Sequence, residues 1–545
     1  MLPRPKPKVH IIGILAVATC HHLPRTLAFN KAPAHLFSRH PSPSLSLTLS
    51  RSRLLRGTSV FTTCHPPSRA CARSFYGTRM ALGEEDKLGT TMTPLQQQKL
   101  QFEQAQLEAD AQRRQYGVST KDVLQGLNQA QQQAVSAPFG PLLVLAGPGS
   151  GKTRVLTHRV GFLLGSGESA SSILTVTFTN KAANEMRKRI KGMLGIKNDS
   201  DLDITVGTFH AVCMKILREH GSLVGLEPGF TIFDAGQQKE LVEQAMLELN
   251  WDTEKFKPAA IRGEISKLKS EGLPPEECMS SSTIMTAAIR GEQQRKLREG
   301  YMQRVGSVYQ LYQAELAKSN AVDFDDLLLK TKTLLQLYDD VRDELRSRWK
   351  HLLVDEWQDT NSPQYDLVKL LASDGDMPSV LVVGDVDQSI YGFRGADIRN
   401  IYRFEDDFRG VRRILLEHNY RSSAIIVGCA QAVIEKSIQR VNKGMITTKE
   451  EGQSVKVREA YDETDEAEFV ARKTRFLVEG EEVEGGYREV AVMYRTNQQS
   501  RILEEQFVKC GVPYHLVGAK KFYERKEVKD LLAYLRVLVG CPPKP

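Results

Sequence analysis

The chain has 545 residues, 74 of them Lys or Arg and 66 Asp or Glu, and is 41% hydrophobic and 26% charged. This composition excludes a collagenous or largely disordered chain, and the length accommodates about two to four globular domains. Its longest apolar run, Ile11 to Ala18, falls well short of the ~20 residues of a membrane-spanning helix.

The net charge of +8 is unevenly placed. Residues 1–83 hold nine Arg, three Lys and no acid, the first carboxylate being Glu84. Without those twelve, 62 basic residues face 66 acidic ones, so bulk charge makes no case for a polyanion partner. Any polyanion site must be a local patch. The eight cysteines are scattered, with no C-x-x-C pair or Cys/His cluster, which argues against structural zinc and a disulfide framework.

Residues 1–80 read as a targeting presequence. Lys6 and Lys8 precede the apolar run Ile11–Ala18 in the manner of a secretory signal, and a Ser/Arg-rich stretch resembling a transit peptide follows Leu27-Ala-Phe-Asn30. A signal followed by a transit segment resembles the two-part address of algae with complex plastids. The plastid is therefore the first expectation, with mitochondrion or nucleus as alternatives and a start at Met80 as the plainest one. Residues 81–123 are expected to be a linker; from Gln96 to Gln133 the chain is Gln-rich with scattered Leu and Ala, the composition of a solvated helix.

From Leu142 the pattern changes. Leu142–Ala146 is a short apolar run, and similar runs recur at Ile173–Thr177, Ile204–Val206, Leu352–Val354, Val380–Val383 and Ile414–Leu416, separated by helical spacing. Such runs predict the buried parallel strands of an α/β sheet, whose ligand site lies in the loops after the strand C-termini. Between about 222 and 322 strand signals give way to charged helical stretches broken at Gly272-Leu-Pro-Pro275. The expected organisation is a first lobe over 124–221 and 323–416, a helical insert over 222–322, and a second α/β segment over 417–545. Val490–Met493 and Tyr514–Val517 are its expected strands.

The loop after the first run is Gly147-Pro-Gly-Ser-Gly-Lys-Thr153. Glycines let a loop curl so that its N–H groups surround a polyphosphate, and the helix that follows adds the positive end of its dipole. Gly147, Pro148, Gly149, Ser150 and Gly151 would form this cradle, with Ala146 where the usual pattern begins with Gly. Lys152 would reach the β and γ phosphates and Thr153 would ligate Mg²⁺. Asp355 and Glu356 follow Leu352–Val354 directly, offering one carboxylate for a metal and one to activate water. Gln388, after Val383-Gly-Asp-Val-Asp387, is placed to sense the γ-phosphate or the attacking water. Asn128-x-x-Gln131 could grip an adenine edge.

Together with Thr177-Phe-Thr-Asn-Lys-Ala-Ala183, Gly207-Thr-Phe-His210, Asp323-Phe-Asp-Asp-Leu327, Asp355-Glu-Trp-Gln-Asp359, Gln388-Ser-Ile-Tyr-Gly-Phe-Arg-Gly-Ala396, Asn419-Tyr-Arg-Ser422 and Tyr494-Arg-Thr-Asn497, these segments resemble the UvrD/Rep-type superfamily 1 DNA helicases from about Leu124 to Leu538. The resemblance implies a RecA-like P-loop NTPase lobe with a helical insert, an incomplete second RecA-like lobe, ATP and Mg²⁺ as cofactors, and 3′→5′ movement on single-stranded DNA or on duplex with a 3′ single-stranded tail. It implies that Gln131 reads adenine between Arg154 and Tyr420, and that Lys152, Thr153, Asp355 and Glu356 make the Mg²⁺–ATP site. Gln388 and Arg421 would face the γ-phosphate, Arg421 as an arginine finger. Phe178, Thr208, His210, Phe324, Tyr391 and Phe393 would line the DNA track, and Arg394 would couple that track to the ATP site.

Aromatic platforms suit a motor that reads no sequence, since stacking serves any base at ~1–3 kcal/mol each. Trp357 stands where the family usually has Tyr, and Phe393 where it usually has Trp. The family pattern continues well beyond Cys541-Pro-Pro-Lys-Pro545, with a further DNA-contacting motif and a second phosphate-facing arginine. Two expectations follow: a helicase whose sequence is cut short, or an ATP- and DNA-binding module with little turnover.

Overall fold

A computed structural model describes residues 116–198, 202–279, 292–372, 379–437, 443–480 and 485–517, with isolated positions beside them. Residues 1–80, expected to be a presequence, and the Gln-rich stretch up to Gln115 lie outside the described residues.

The six predicted apolar runs all become strands. They are β1 (Gly140–Ala146), β2 (Ile173–Thr177) and β3 (Thr205–Thr208), then, after a separate short pair β4 (Thr231–Ile232) and β5 (Ala321–Val322), β6 (His351–Val354), β7 (Ser379–Gly384) and β8 (Arg412–Leu416). They form one sheet in the order β3-β2-β6-β7-β1-β8, with every pairing parallel.

Successive side chains of a strand point to opposite faces, so a continuous apolar run must be covered on both. In β1, Leu143 and Leu145 enter one core while Leu142, Val144 and Ala146 enter the other; β7 splits Val380 and Val382 from Leu381 and Val383 in the same way. Helices Lys152–Ser166 and Asn180–Leu194 cover one face, and Phe209–His220, Phe324–Leu337 and Ser362–Ala372 the other. This arrangement leaves the C-terminal edge of the sheet open for the loops that carry polar residues.

One boundary and two expected strands differ from expectation. Tyr116, Val123 and Leu127 belong to the core on the Lys152–Ser166 side, so the first lobe begins ahead of residue 124. The described end of the Gln-rich stretch is two short helices, Thr120–Leu124 and Gln129–Val135, started by the side chains of Ser119 and Asn128. In the second lobe, Val490–Met493 and Tyr514–Val517 join no ladder among the described residues. Val492 packs instead with Ala471, Phe507 and Val512 of the helical side, and the Tyr514 hydroxyl donates to Glu504 at 3.1 Å. Strand-prone side chains make a strand only beside a pairing neighbour.

The insert has its own core, in which Met302, Val305, Tyr309, Tyr312 and Leu316 of helix Glu292–Lys318 meet Ile261, Ile265 and Leu268 of helix Pro258–Glu271. A charged cluster ties it to the helix that begins at Phe324. The fully buried Lys269 ammonium lies 2.7 Å from both Asp323 and Asp326 and donates to Gln313 at 2.8 Å, while Tyr312 donates to Asp323 at 2.8 Å. Burial alone would push Lys269 down, but Asp326 and Asp323 outweigh it and hold the ammonium above its ordinary value. Removing one partner of a buried ion pair strands the other charge in a poor solvent. Lys269→Met is therefore expected to lower stability by about 3–5 kcal/mol, read from urea unfolding; an unchanged midpoint would show that the two carboxylates need no cation.

Candidate nucleotide site and nucleic-acid cleft

Every functional loop predicted for the first lobe lies at the C-terminal edge of the sheet. After β1 the chain turns through Gly149 (φ +68°) and Gly151 (φ +89°), conformations that favour glycine. The Ser150 hydroxyl donates to Gly147 O at 2.7 Å and closes the loop. Ala146 is buried in the sheet beside Leu416. Helix Lys152–Ser166 starts with no side-chain cap, so its first N–H groups are directed to whatever the loop encloses.

Lys152 Nζ stands 3.9 Å from Glu356 Oε2 and 4.0 Å from Asp385 Oδ2, joining the ends of β6 and β7. The Thr153 hydroxyl is 3.5 Å from Asp355 Oδ2. Burial and then the adjacent Glu356 push the Asp355 carboxyl up to about 7, against the opposing pull of Lys152. Asp359 is raised to about 7 by burial and by the same glutamate. A buried carboxylate short of positive charge, with a hydroxyl beside it, fits a divalent cation, and Thr153 and Asp355 are the residues that would hold one.

Glu356 takes a left-handed backbone (φ +52°), which strains a residue with a Cβ. Gln358 Nε2 donates to its Oε2 at 2.9 Å, and its side chain keeps 35% exposure, so it can meet both a buried ligand and water. Gln388 donates to Asp385 Oδ2 at 2.6 Å, which places the expected sensor on an acid that also faces Lys152.

The segment after β8 lies on the phosphate loop. Asn419 Nδ2 donates to Pro148 O at 2.7 Å and Tyr420 N to Gly149 O at 2.9 Å. Arg421 is exposed, and its Cβ lies 2.7 Å from where a Cβ on Gly149 would stand. Asn128 donates to the Tyr420 hydroxyl at 2.6 Å, and Arg154 is exposed near Gly126, so both flanking residues expected for a base occupy this corner. Gln131 is 2% exposed, accepts from Asn128 N at 3.2 Å and donates to Ser150 O at 2.9 Å, so its amide braces the phosphate loop and completes a helix cap.

A cleft of about 1410 Å³ opens between the sheet edge and the insert, lined in part by Phe178, His210, Asp325, Phe393, Arg394 and Arg403. Tyr391 bridges Phe178 and Phe393, with ring centroids 5.0 and 6.0 Å away. Phe393 is 80% exposed, and Arg394 lies over both Tyr391 and Phe393 at 5.3 and 5.6 Å. Phe324, also exposed, meets His210 edge-on at 6.3 Å. Thr208 departs from expectation: it is buried, and its hydroxyl accepts from Ala211 N to start helix Phe209–His220.

Sequence reasoning passed over Asp385, which shares its quoted segment with Gln388, and Asn419, quoted only as a neighbour of Tyr420. For Asp385 the available signal was its place immediately after the buried strand β7; Asn419, three residues past β8, carried none so direct.

A Gly-rich loop ending in Lys-Thr after β1, an acidic pair after β6 and a glutamine after β7 of one parallel sheet define the RecA-like P-loop class. Within that class, residues 127–409 match the UvrD/REP helicase N-terminal domain and residues 414–540 the UvrD-like helicase C-terminal domain, and the chain belongs to the UvrD/Rep helicase family. It is 42% identical over 419 residues to proteins named ATP-dependent DNA helicase PcrA from Staphylococcus aureus and from Staphylococcus epidermidis, a match covering 77% of this chain and 54% of each relative. The chain thus spans about half the length of the curated relatives it matches.

Proposed function

We propose that this chain carries the nucleotide- and DNA-handling core of an ATP-dependent 3′→5′ DNA helicase or single-strand translocase acting in repair or replication. One observation carries the reading: a single segment, Asp385–Ala396, begins at the acid facing Lys152 and ends at the aromatic wall of the cleft. A change at the phosphates therefore has a short covalent route to the surface that would hold bases.

In this reading Lys152 binds the β and γ phosphates, and Glu356 accepts the proton of the attacking water. Gln388 orients the water or the γ-phosphate from its anchor on Asp385. Arg421, carried by the segment clasping the phosphate loop, supplies positive charge to the transition state. Thr153 and Asp355 would hold Mg²⁺, which supplies charge neutralisation at the phosphates. Phe178, Tyr391 and Phe393 offer π-faces to single-stranded DNA, alone or as the 3′ tail of a duplex, and the neighbouring Arg394 and Arg403 supply positive charge for its backbone.

The decisive measurement is steady-state ATPase with and without single-stranded DNA. Turnover should rise with DNA, vanish in Lys152→Ala, and fall by about 10²–10⁴ in Glu356→Gln with nucleotide affinity retained. Hydrolysis indifferent to DNA would leave a binding module, and Lys152→Ala activity above that of Glu356→Gln would overturn the cradle.

The raised Asp355 carboxyl sets a pH dependence. It is largely protonated below about 7 and must lose that proton to hold a cation, so Mg²⁺-dependent affinity for a fluorescent ATP analogue should strengthen from pH 6 to pH 8. A profile no steeper than that of Asp355→Asn would remove Asp355 from the metal site.

The acid-free presequence supports delivery to an organelle, the plastid first. Residues 1–80 fused to a fluorescent reporter should direct it there; diffuse cytosolic fluorescence would end that reading.

A further inference from the structure

A second lysine reaches the acids after β7, and it comes from the second lobe. Lys443 is 3% exposed; its ammonium bonds Asp385 Oδ1 and lies 3.0 Å from Asp387 Oδ2. Asp385 is itself fully buried. One carboxylate thus serves Lys443 on one oxygen, and Gln388 at 2.6 Å and Lys152 at 4.0 Å on the other. Its backbone is fixed too, since Asp385 N donates to Gln358 Oε1 at 2.8 Å.

Lys443 begins a strap, residues 443–447, that lies over the phosphate loop. Gly444 N donates to Glu417 Oε1 and Ile446 N to Glu417 O, both at 2.9 Å, and the Thr447 hydroxyl donates to Ser422 O at 2.9 Å. Between them, the Met445 side chain fills the space that a Cβ on Gly147 would need. The strap is therefore bound to the Glu417–Ser422 segment by hydrogen bonds and to the sheet edge by its lysine.

We propose that Lys443 is a positioning residue through which the second lobe registers phosphate at the sensor acid. The inference rests on the nucleotide reading above. Lys152 and Lys443 share Asp385, so a γ-phosphate that draws Lys152 toward itself leaves Lys443 as the main counter-charge of a buried carboxylate. The ion pair between the lobes then strengthens as the phosphate site fills, and the carboxylate that holds Gln388 stays in place. Occupancy of the phosphate loop and closure of the strap become one coupled equilibrium.

The test uses the full chain with Lys443→Met, Lys443→Arg and Asp387→Asn, each first checked for a native unfolding transition. Hydrogen exchange over residues 443–447 is followed with Mg²⁺ and a non-hydrolysable ATP analogue, or with ADP, alongside titrations of both nucleotides. Wild type should gain protection in the strap with the ATP analogue and little with ADP. Lys443→Met should lose that gain, and its preference for the ATP analogue over ADP should fall by about tenfold, within the usual range of such couplings. Lys443→Arg should recover part of it, and Asp387→Asn combined with Lys443→Met should lose no more than Lys443→Met alone. Equal strap protection and equal nucleotide preference in wild type and Lys443→Met would overturn the proposal. Should Lys443→Met fail to fold, Lys443→Arg and Asp387→Asn decide it, since both retaining full wild-type coupling would overturn it equally. A wild-type chain that binds neither nucleotide would overturn the nucleotide reading, and this inference with it.

Discussion

The site depends on acids held where water cannot reach them. Asp355 and Asp385 follow buried strands directly and face the neighbouring phosphate loop, with Lys152 4.0 Å from Asp385 and the Thr153 hydroxyl 3.5 Å from Asp355. Attraction across a poorly screened interior is strong, and in the proposed reading an entering phosphate or cation would compete for these partners. The covered sheet supplies the rigidity for this, since side chains packed on both faces leave the strand ends few alternative positions.

The cleft follows from the same geometry. The loop after β7 carries Asp385 and Gln388 at one end and Tyr391, Phe393 and Arg394 at the other, so one short stretch faces both sites. Its far end is seated on the insert: Gly395 adopts φ +83°, and a Cβ there would meet Ser270. The insert is fixed in turn through Lys269 to the helix that begins at Phe324. Phosphate loop, aromatic wall and insert thus form one connected path.

Much of this was legible in the amino-acid order, because strands buried on both faces leave continuous apolar runs and polar residues just past them have few places to go. The four inner strands, the cradle and the acids after β6 could be read in that way, while the edge strands β3 and β8, only partly buried, showed through their apolar residues alone. Features set by what lies across a gap could not. Gln131 belongs to a polar stretch in which nothing marks one amide as brace for the Ser150 carbonyl, and Thr208 carries no sign that its hydroxyl is spent on a helix cap. Val490–Met493 has the composition of a strand, and only the neighbours it meets decide that it packs against helices. Lys443 stands in no periodic pattern at all, and its partners are more than fifty positions earlier in the chain.

The grip of Asn419 and Tyr420 on the phosphate loop is made to main-chain oxygens of Pro148 and Gly149. Such a grip follows the course of the polypeptide and is blind to which side chains decorate it. Any bending of the loop to fit a guest would displace those two oxygens and carry the clasping segment along. The cradle would then work as a pivot pin, turning a local shift of the main chain into rotation of a body tens of residues across.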